Sequence, residues 1–111
     1  MTNVPIVNQR ATVKAVFVGN DEERDYKAGE WNFYSSGDIE QYGILFGCPC
    51  GCGSLLSIPF KSTTRPNWEW DGNEDKPTVT PSILNYQMNK EGKIIGEHWH
   101  GFLTAGVFKS C

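Results

Sequence analysis

The segment Cys48-Pro49-Cys50-Gly51-Cys52-Gly53 decides the fold of this chain, because it gathers three thiols within six residues. The glycines and the proline predict a tight turn, which directs the sulfurs toward one point. Thiolates arranged in this way are typical of a metal site, and zinc prefers four sulfur or nitrogen ligands in a tetrahedral array. The segment therefore predicts a zinc ion held by Cys48, Cys50 and Cys52, with Cys48 and one of the other two as the minimum pair.

The ligand that completes this site must come from a distant part of the chain. The candidates are His98, His100 and Cys111. Side chains at positions i and i+2 of a strand share one face, so His98 and His100 are expected to reach the same region of space. The residues alone leave the fourth ligand open among these three.

The cysteines and the hydropathy pattern also predict a compartment. Three cysteines this close together cannot pair with one another without strain. Residues 1–5 lack the basic region and apolar run of a secretory signal. No stretch approaches the roughly 20 apolar residues that a membrane helix needs. We therefore expect metal-bound thiolates in the reducing cytoplasm and no membrane partner.

The charge of the chain argues against a nucleic-acid partner. Acidic residues outnumber basic ones by 13 to 10, which gives a formal net charge of −3. The lysines and arginines are scattered along the sequence, whereas binding to phosphates needs a clustered basic surface.

Short segments rich in β-branched and aromatic residues recur along the chain. Residues 44–46 lead into the cysteine turn and residues 55–58 leave it, which predicts a hairpin with the thiols at its tip. Only residues 21–26 have the pattern of a helical turn. The other predicted strands are residues 11–18, 31–34, 68–70, 78–80, 83–88, 98–103 and 107–108. Together they predict one all-β, mainly antiparallel domain over residues 1–111, a small sheet or sandwich stapled by zinc.

A second segment, residues 76–83, bears on catalysis. Pro77 and Pro81 bracket a short strand, and the locked φ of Pro81 stiffens the chain just before Ser82. A serine held in this way, with a histidine available from another strand, is what nucleophilic catalysis requires. Judged by these residues alone, the simpler interpretation is that Pro81 and Ser82 only begin a strand.

Four motifs, in this order, resemble a small family of zinc-bearing proteins found in bacteriophages and in bacterial operons for ubiquitin-like conjugation. They are Cys-Pro-Cys-Gly-Cys-Gly, Trp-x-Trp-Asp-Gly-Asn, Pro-Thr-Val-Thr-Pro-Ser-Ile and His-x-Phe-Leu-x-x-Gly. The resemblance covers residues 46–108 as a zinc and peptidase core, and leaves the strands of residues 1–41 without an assigned role. It implies a serine-type peptidase with a structural zinc, which removes ubiquitin-like proteins from their conjugates.

The resemblance also implies roles for individual residues. Ser82 would be the nucleophile, His100 the general base, and the cysteines of the turn the zinc ligands. The family places a cysteine near this histidine, whereas Trp99 stands directly before it here. We therefore expect His98 to be the fourth ligand, with Cys111 as the alternative.

These roles predict cleavage of a peptide or isopeptide bond in a protein substrate, by an enzyme of phage origin that acts in the host cytoplasm. A carboxylate would orient the histidine, and the candidates are Glu69, Asp71 and Glu97. Aromatic side chains would line a cleft for an extended peptide, with at least two of the four in the core instead; they are Trp68, Trp70, Tyr86 and Trp99.

Two other functions fit the same residues. The first alternative is a non-catalytic binding module, stabilised by zinc, with which a phage blocks a host protein. The second is a zinc-dependent hydrolase in which His98 and His100 both bind the metal beside a pair of cysteines. Three thiolates around zinc argue against the hydrolase, because they weaken the ion as a Lewis acid.

Overall fold

Two β-sheets enclose one hydrophobic core in the computed structural model, which describes residues 12–19 and 25–111. The described residues contain no helix, and the all-β, mainly antiparallel class is confirmed. The predicted helical turn at 21–26 lies largely outside them. The strands are β1 (Thr12–Lys14), β2 (Val16–Phe17), β3 (Glu30–Ser36), β4 (Ile39–Gly47), β5 (Leu55–Pro59), β6 (Glu69–Trp70), β7 (Val79–Met88), β8 (Ile94–Thr104) and β9 (Val107–Ser110).

One sheet has five strands in the order β1-β9-β8-β7-β6, and the other has four in the order β2-β3-β4-β5. Strand β2 runs parallel to β3, and the other strand pairs are antiparallel. The single strand predicted over residues 11–18 is wrong. The chain leaves the first sheet at the buried residue Ala15, whose N–H donates to the carbonyl of Gly106, and enters the second sheet at Val16.

The core lies between the two sheets and draws large side chains from both. Phe46 of β4 and Phe108 of β9 stack across it with ring centroids 4.8 Å apart. Burying a side chain of this size contributes roughly 1.5–3 kcal/mol to stability. The other buried members of the core are Ala15, Trp31, Ile44, Cys48, Cys50, Ile58, Val79, Ile83, Trp99 and Leu103.

The β4–β5 hairpin carries the cysteine turn at its tip, as the sequence predicts. The ladder ends at the pair Gly47 and Leu55, and the N–H of Cys48 then donates to the carbonyl of Ser54. Gly51 and Gly53 have φ values of 87° and 89°, a left-handed region that favours glycine over residues with a side chain. These glycines fold the tip back on itself, which brings the three thiols together.

Strand β7 carries a bulge at the position of the predicted nucleophile. Val79 pairs with Leu103 and Ile83 pairs with Gly101, so three residues of β7 lie opposite one residue of β8. The separate strands predicted at 78–80 and 83–88 are therefore one strand. Strand β7 can contain Pro81 because this residue lies in the bulge, where the ladder does not require the N–H that proline lacks.

Strand β8 carries a second bulge, at His98. Trp99 pairs with Asn85 and Glu97 pairs with the next residue, Tyr86, so His98 is an extra residue of β8 at this point of the ladder. Such a residue interrupts the alternation of side chains between the two faces. His98 and Trp99 are both buried, at 2 % and 0 % exposure, although they are neighbours in the chain.

Candidate functional site

Four potential metal ligands meet where the tip of the β4–β5 hairpin contacts β8. The Sγ atoms of Cys48, Cys50 and Cys52 and a ring nitrogen of His98 all lie within 4.8 Å of one another. Cys50 Sγ lies 3.4 Å from Cys48 Sγ and 3.4 Å from His98 Nε2, and Cys52 Sγ lies 3.3 Å from the same nitrogen. These are the four residues that the resemblance leads us to expect as metal ligands.

The donor set and its dimensions fit a tetrahedral metal ion such as zinc. With Zn–S bonds of about 2.3 Å and Zn–N bonds of about 2.0 Å, the edges of the tetrahedron are about 3.5 to 3.8 Å. Burial raises the pKa of the Cys48 thiol far above its usual range; a hydrogen bond to the Cys50 backbone lowers it, and the neighbouring thiols of Cys50 and Cys52 raise it again. Thiolates packed this closely in a buried site need a cation, which a metal ion supplies.

The other proposed sulfur ligand lies elsewhere. Cys111 is exposed at the end of the chain and is not part of the cluster, and its N–H donates to the main-chain carbonyl of His100. None of the four cysteines forms a disulfide. The sulfurs of Cys48 and Cys50 are also too far apart for one, since a disulfide bond measures about 2.0 Å.

Ser82 and His100 meet on the five-stranded sheet. The Oγ of Ser82 lies 3.1 Å from the Nε2 of His100, which is hydrogen-bond distance. The bulge in β7 carries the serine, while His100 lies on the adjacent strand opposite Leu84. His100 is not part of the cysteine cluster. The expectation that His98 and His100 reach the same region is thus wrong, because the bulge at His98 separates their directions.

Of the three carboxylates considered for orienting the histidine, Glu97 is the one placed beside it. Its Oε1 lies 3.9 Å from His100 Nδ1, and the two side chains are 53 % and 31 % exposed. This distance permits an electrostatic interaction but exceeds a hydrogen bond. Asp71 instead accepts hydrogen bonds from the N–H groups of Asn73 and Thr78 and so shapes its own loop.

The aromatic residues divide between the core and the surface. Trp99 is fully buried, and its indole N–H donates to Ser110 Oγ. Tyr86 is exposed. Trp68 and Trp70 line a surface groove of about 490 Å³, together with Glu69 and with Gln41, Phe60, Lys61 and Asn67. Two of the four predicted cleft residues therefore face a groove. The Trp68 indole N–H also donates to the main-chain carbonyl of Ser82 at 3.1 Å, a contact that sequence reasoning missed.

The contact between a serine and a histidine agrees with the protein family that the sequence matches. Residues 19–111 match the family described as the bacterial ubiquitination-like system serine protease, BubE. Because the match spans most of the chain, the protein belongs to this family of serine proteases. No curated protein and no solved structure shows significant similarity to it. The family agrees with the bacterial-operon part of the expected resemblance, and the phage origin stays a prediction.

The described residues contain no helix long and apolar enough to cross a membrane.

Proposed function

We propose that this protein is a serine peptidase in which Ser82 is the nucleophile and His100 the general base. The observation that carries the proposal is the 3.1 Å contact between Ser82 Oγ and His100 Nε2. Nucleophile and base must lie within about 2.6–3.2 Å for direct proton transfer, and this pair meets that condition. Membership in a family of serine proteases supports the same reaction class.

The mechanism follows from these atoms. Ser82 Oγ attacks the carbonyl carbon of the scissile bond while His100 Nε2 takes the hydroxyl proton. The tetrahedral intermediate collapses to an acyl-enzyme when His100 returns that proton to the leaving amine. Water then attacks the ester with help from the same nitrogen and releases the acid, which restores the serine.

Glu97 supports the tautomer that this mechanism needs. Nε2 accepts the proton of Ser82 only if the neutral ring carries its own proton on Nδ1. That nitrogen faces Glu97 Oε1 at 3.9 Å. A carboxylate at this position favours a proton on Nδ1 and stabilises the imidazolium formed during attack. Its exposure to solvent weakens both effects.

The metal cluster has a structural role in this proposal. Cys48, Cys50, Cys52 and His98 would hold zinc, which cross-links the β4–β5 hairpin to β8. A site closed by four protein ligands leaves no position for a water nucleophile. The zinc-hydrolase alternative needs His100 as a second histidine ligand, and this residue contacts Ser82 instead.

The proposed substrate is a peptide or isopeptide bond in a ubiquitin-like protein or its conjugate. The family's place in a ubiquitination-like system supports a protein substrate of this kind. We also propose that the protein is encoded by a phage and acts in the cytoplasm of the host.

The test uses the full chain, loaded with zinc, and a fusion of a ubiquitin-like protein to a reporter. We expect Ser82→Ala and His100→Ala each to lower kcat by at least about 10³-fold, and the double variant to be no worse than either one. A fluorophosphonate probe should add covalently to Ser82 in the wild type. Ser57→Ala, which removes an exposed hydroxyl from β5, is the matched control and should cleave at the wild-type rate.

Retention of cleavage by Ser82→Ala, with unchanged metal content and melting temperature, would refute the proposal. Wild-type protein that folds and binds zinc but cleaves nothing would favour the non-catalytic binding module.

A further inference from the structure

One hydrogen bond ties Ser82 to the residue that directly precedes the edge strand β6. The indole N–H of Trp68 donates to the main-chain carbonyl of Ser82 at 3.1 Å. Trp68 is itself held in place. Its backbone N–H donates to the carbonyl of Pro59 at the end of β5, and its half-buried ring packs against the core. The indole therefore has a fixed position, and its N–H holds the main-chain carbonyl of Ser82 in place.

This hydrogen bond lies where strand β7 is poorly paired with the strands on either side. Between Val79 and Ile83, strand β7 has two more residues than the facing segment of β8, so the ladder is interrupted there. On the other side, β6 pairs only with Val79 and Thr80. Ser82 thus falls beyond the paired residues of β6 and inside the bulge. The indole N–H extends the support of β6 to this residue.

The carbonyl that Trp68 holds is attached to the same Cα as the nucleophilic side chain. Because the pairing of Thr80 with Glu69 holds the chain before Ser82, fixing this carbonyl limits rotation about the Cα–C bond of Ser82, and so limits reorientation of its Cα–Cβ bond. We propose that Trp68 is a positioning residue, which keeps Ser82 Oγ within reach of His100 Nε2. The inference deepens the proposed function and rests on it. A displacement of about 1 Å between reacting groups costs on the order of 100-fold in rate.

A role in positioning differs in its kinetic signature from a role in binding. Trp68 also lines the surface groove that contains Phe60 and Trp70. A side chain that only contacts substrate through this groove would change KM when it is altered. A side chain that aligns the nucleophile changes the chemical step, and hence kcat.

Two variants of Trp68 separate the hydrogen bond from the ring. Trp68→Phe removes the N–H and reduces the ring. Replacement of Trp68 by benzothienylalanine keeps the bicyclic shape and substitutes sulfur for the N–H, so the packing survives. Tyr34→Phe is the control, because it also removes a polar hydrogen from a half-buried aromatic side chain but lies on β3, outside the groove.

We expect both Trp68 variants to lower kcat by about 10- to 100-fold while KM stays within about twofold. The rate at which a small fluorophosphonate labels Ser82 should fall by the same factor, since this probe is too small to need the groove. Tyr34→Phe should keep the wild-type kcat and labelling rate. Metal content and melting temperature are measured for each protein, and the benzothienylalanine variant should match the wild type in both.

Wild-type kcat in the benzothienylalanine variant, or a change confined to KM, would overturn the inference while the serine mechanism stands. Absence of cleavage and of Ser82 labelling in the zinc-loaded wild type would overturn both.

Discussion

His98 and His100 are two residues apart on one strand, yet their rings serve different sites. The Nε2 of His98 lies 3.3 Å from Cys52 Sγ, whereas the Nε2 of His100 lies 3.1 Å from Ser82 Oγ. The bulge at His98 is the cause, because it breaks the alternation of side chains just before His100. The Cys–His cluster and the serine–histidine pair thus use different residues of the same strand, so substitutions can address each one separately.

Removal of the metal is expected to destabilise the fold. A ligand present at about 1,000 times its Kd stabilises the native state by about 4 kcal/mol. For a domain of this size, that corresponds to a fall in Tm of roughly 15 °C on chelation. Differential scanning calorimetry with and without chelator measures the shift, and metal analysis should give one zinc per chain.

Cys48→Ser and Cys111→Ser form the matched pair for this prediction. Cys48 belongs to the buried cluster, while Cys111 is exposed and outside it. The first variant should lose zinc and melt at the temperature of the chelated protein, and the second should behave as the wild type. A chelated protein that keeps its Tm but loses activity would instead indicate a catalytic metal.

Neutralising Glu97 is expected to weaken catalysis only moderately. The carboxylate lies 3.9 Å from His100 Nδ1 and is half exposed, so water screens the interaction. We expect Glu97→Gln to lower kcat/KM by about 3- to 10-fold, which corresponds to the roughly 1 kcal/mol of a screened ion pair. Glu91→Gln, in the exposed turn before β8, is the control. A loss of 10³-fold or more would mean that Glu97 forms a close triad with His100 during catalysis.

A methyl side chain at position 101 should strain the sheet beside Ser82 and His100. A methyl group there would overlap the carbonyl of Lys109 and would lie 2.6 and 2.8 Å from ring atoms of the buried Trp99. We expect Gly101→Ala to reduce the free energy of unfolding by about 1–3 kcal/mol. Thr104→Ala, at the exposed end of the same strand, should change it by less than about 0.5 kcal/mol. Urea denaturation followed by tryptophan fluorescence measures both, and equal stability of the two variants would contradict the prediction.

Local signals explain what the sequence predicted well. The cysteine turn and its hairpin depend on residues that are neighbours in the chain, and glycines with positive φ are recognisable there. The three cysteines followed from the turn itself, whereas the choice of His98 over His100 and Cys111 came from the family resemblance. The contact of Ser82 with His100 was reached only through the family resemblance.

Non-local features account for what the sequence did not predict. Whether β8 contains an extra residue at His98 depends on its pairing with β7, which no local pattern reveals. The same is true of the break at Ala15, where the chain changes sheets, and of the bond from Trp68 to Ser82. Each of these results from packing between distant segments.

The bulge at His98 also sets the phase of strand β8. From Trp99 onward, alternate residues enter the core, as the complete burial of Leu103 shows, while Phe102 remains 46 % exposed. If β8 slipped by one residue relative to β7, its two faces would exchange. His100 would then point into the core, and the core residues of β8 would point toward water. A metal bound to this cluster would hold His98 at one point where the alternation is interrupted, and so would fix the pairing of the strand that carries the proposed base His100.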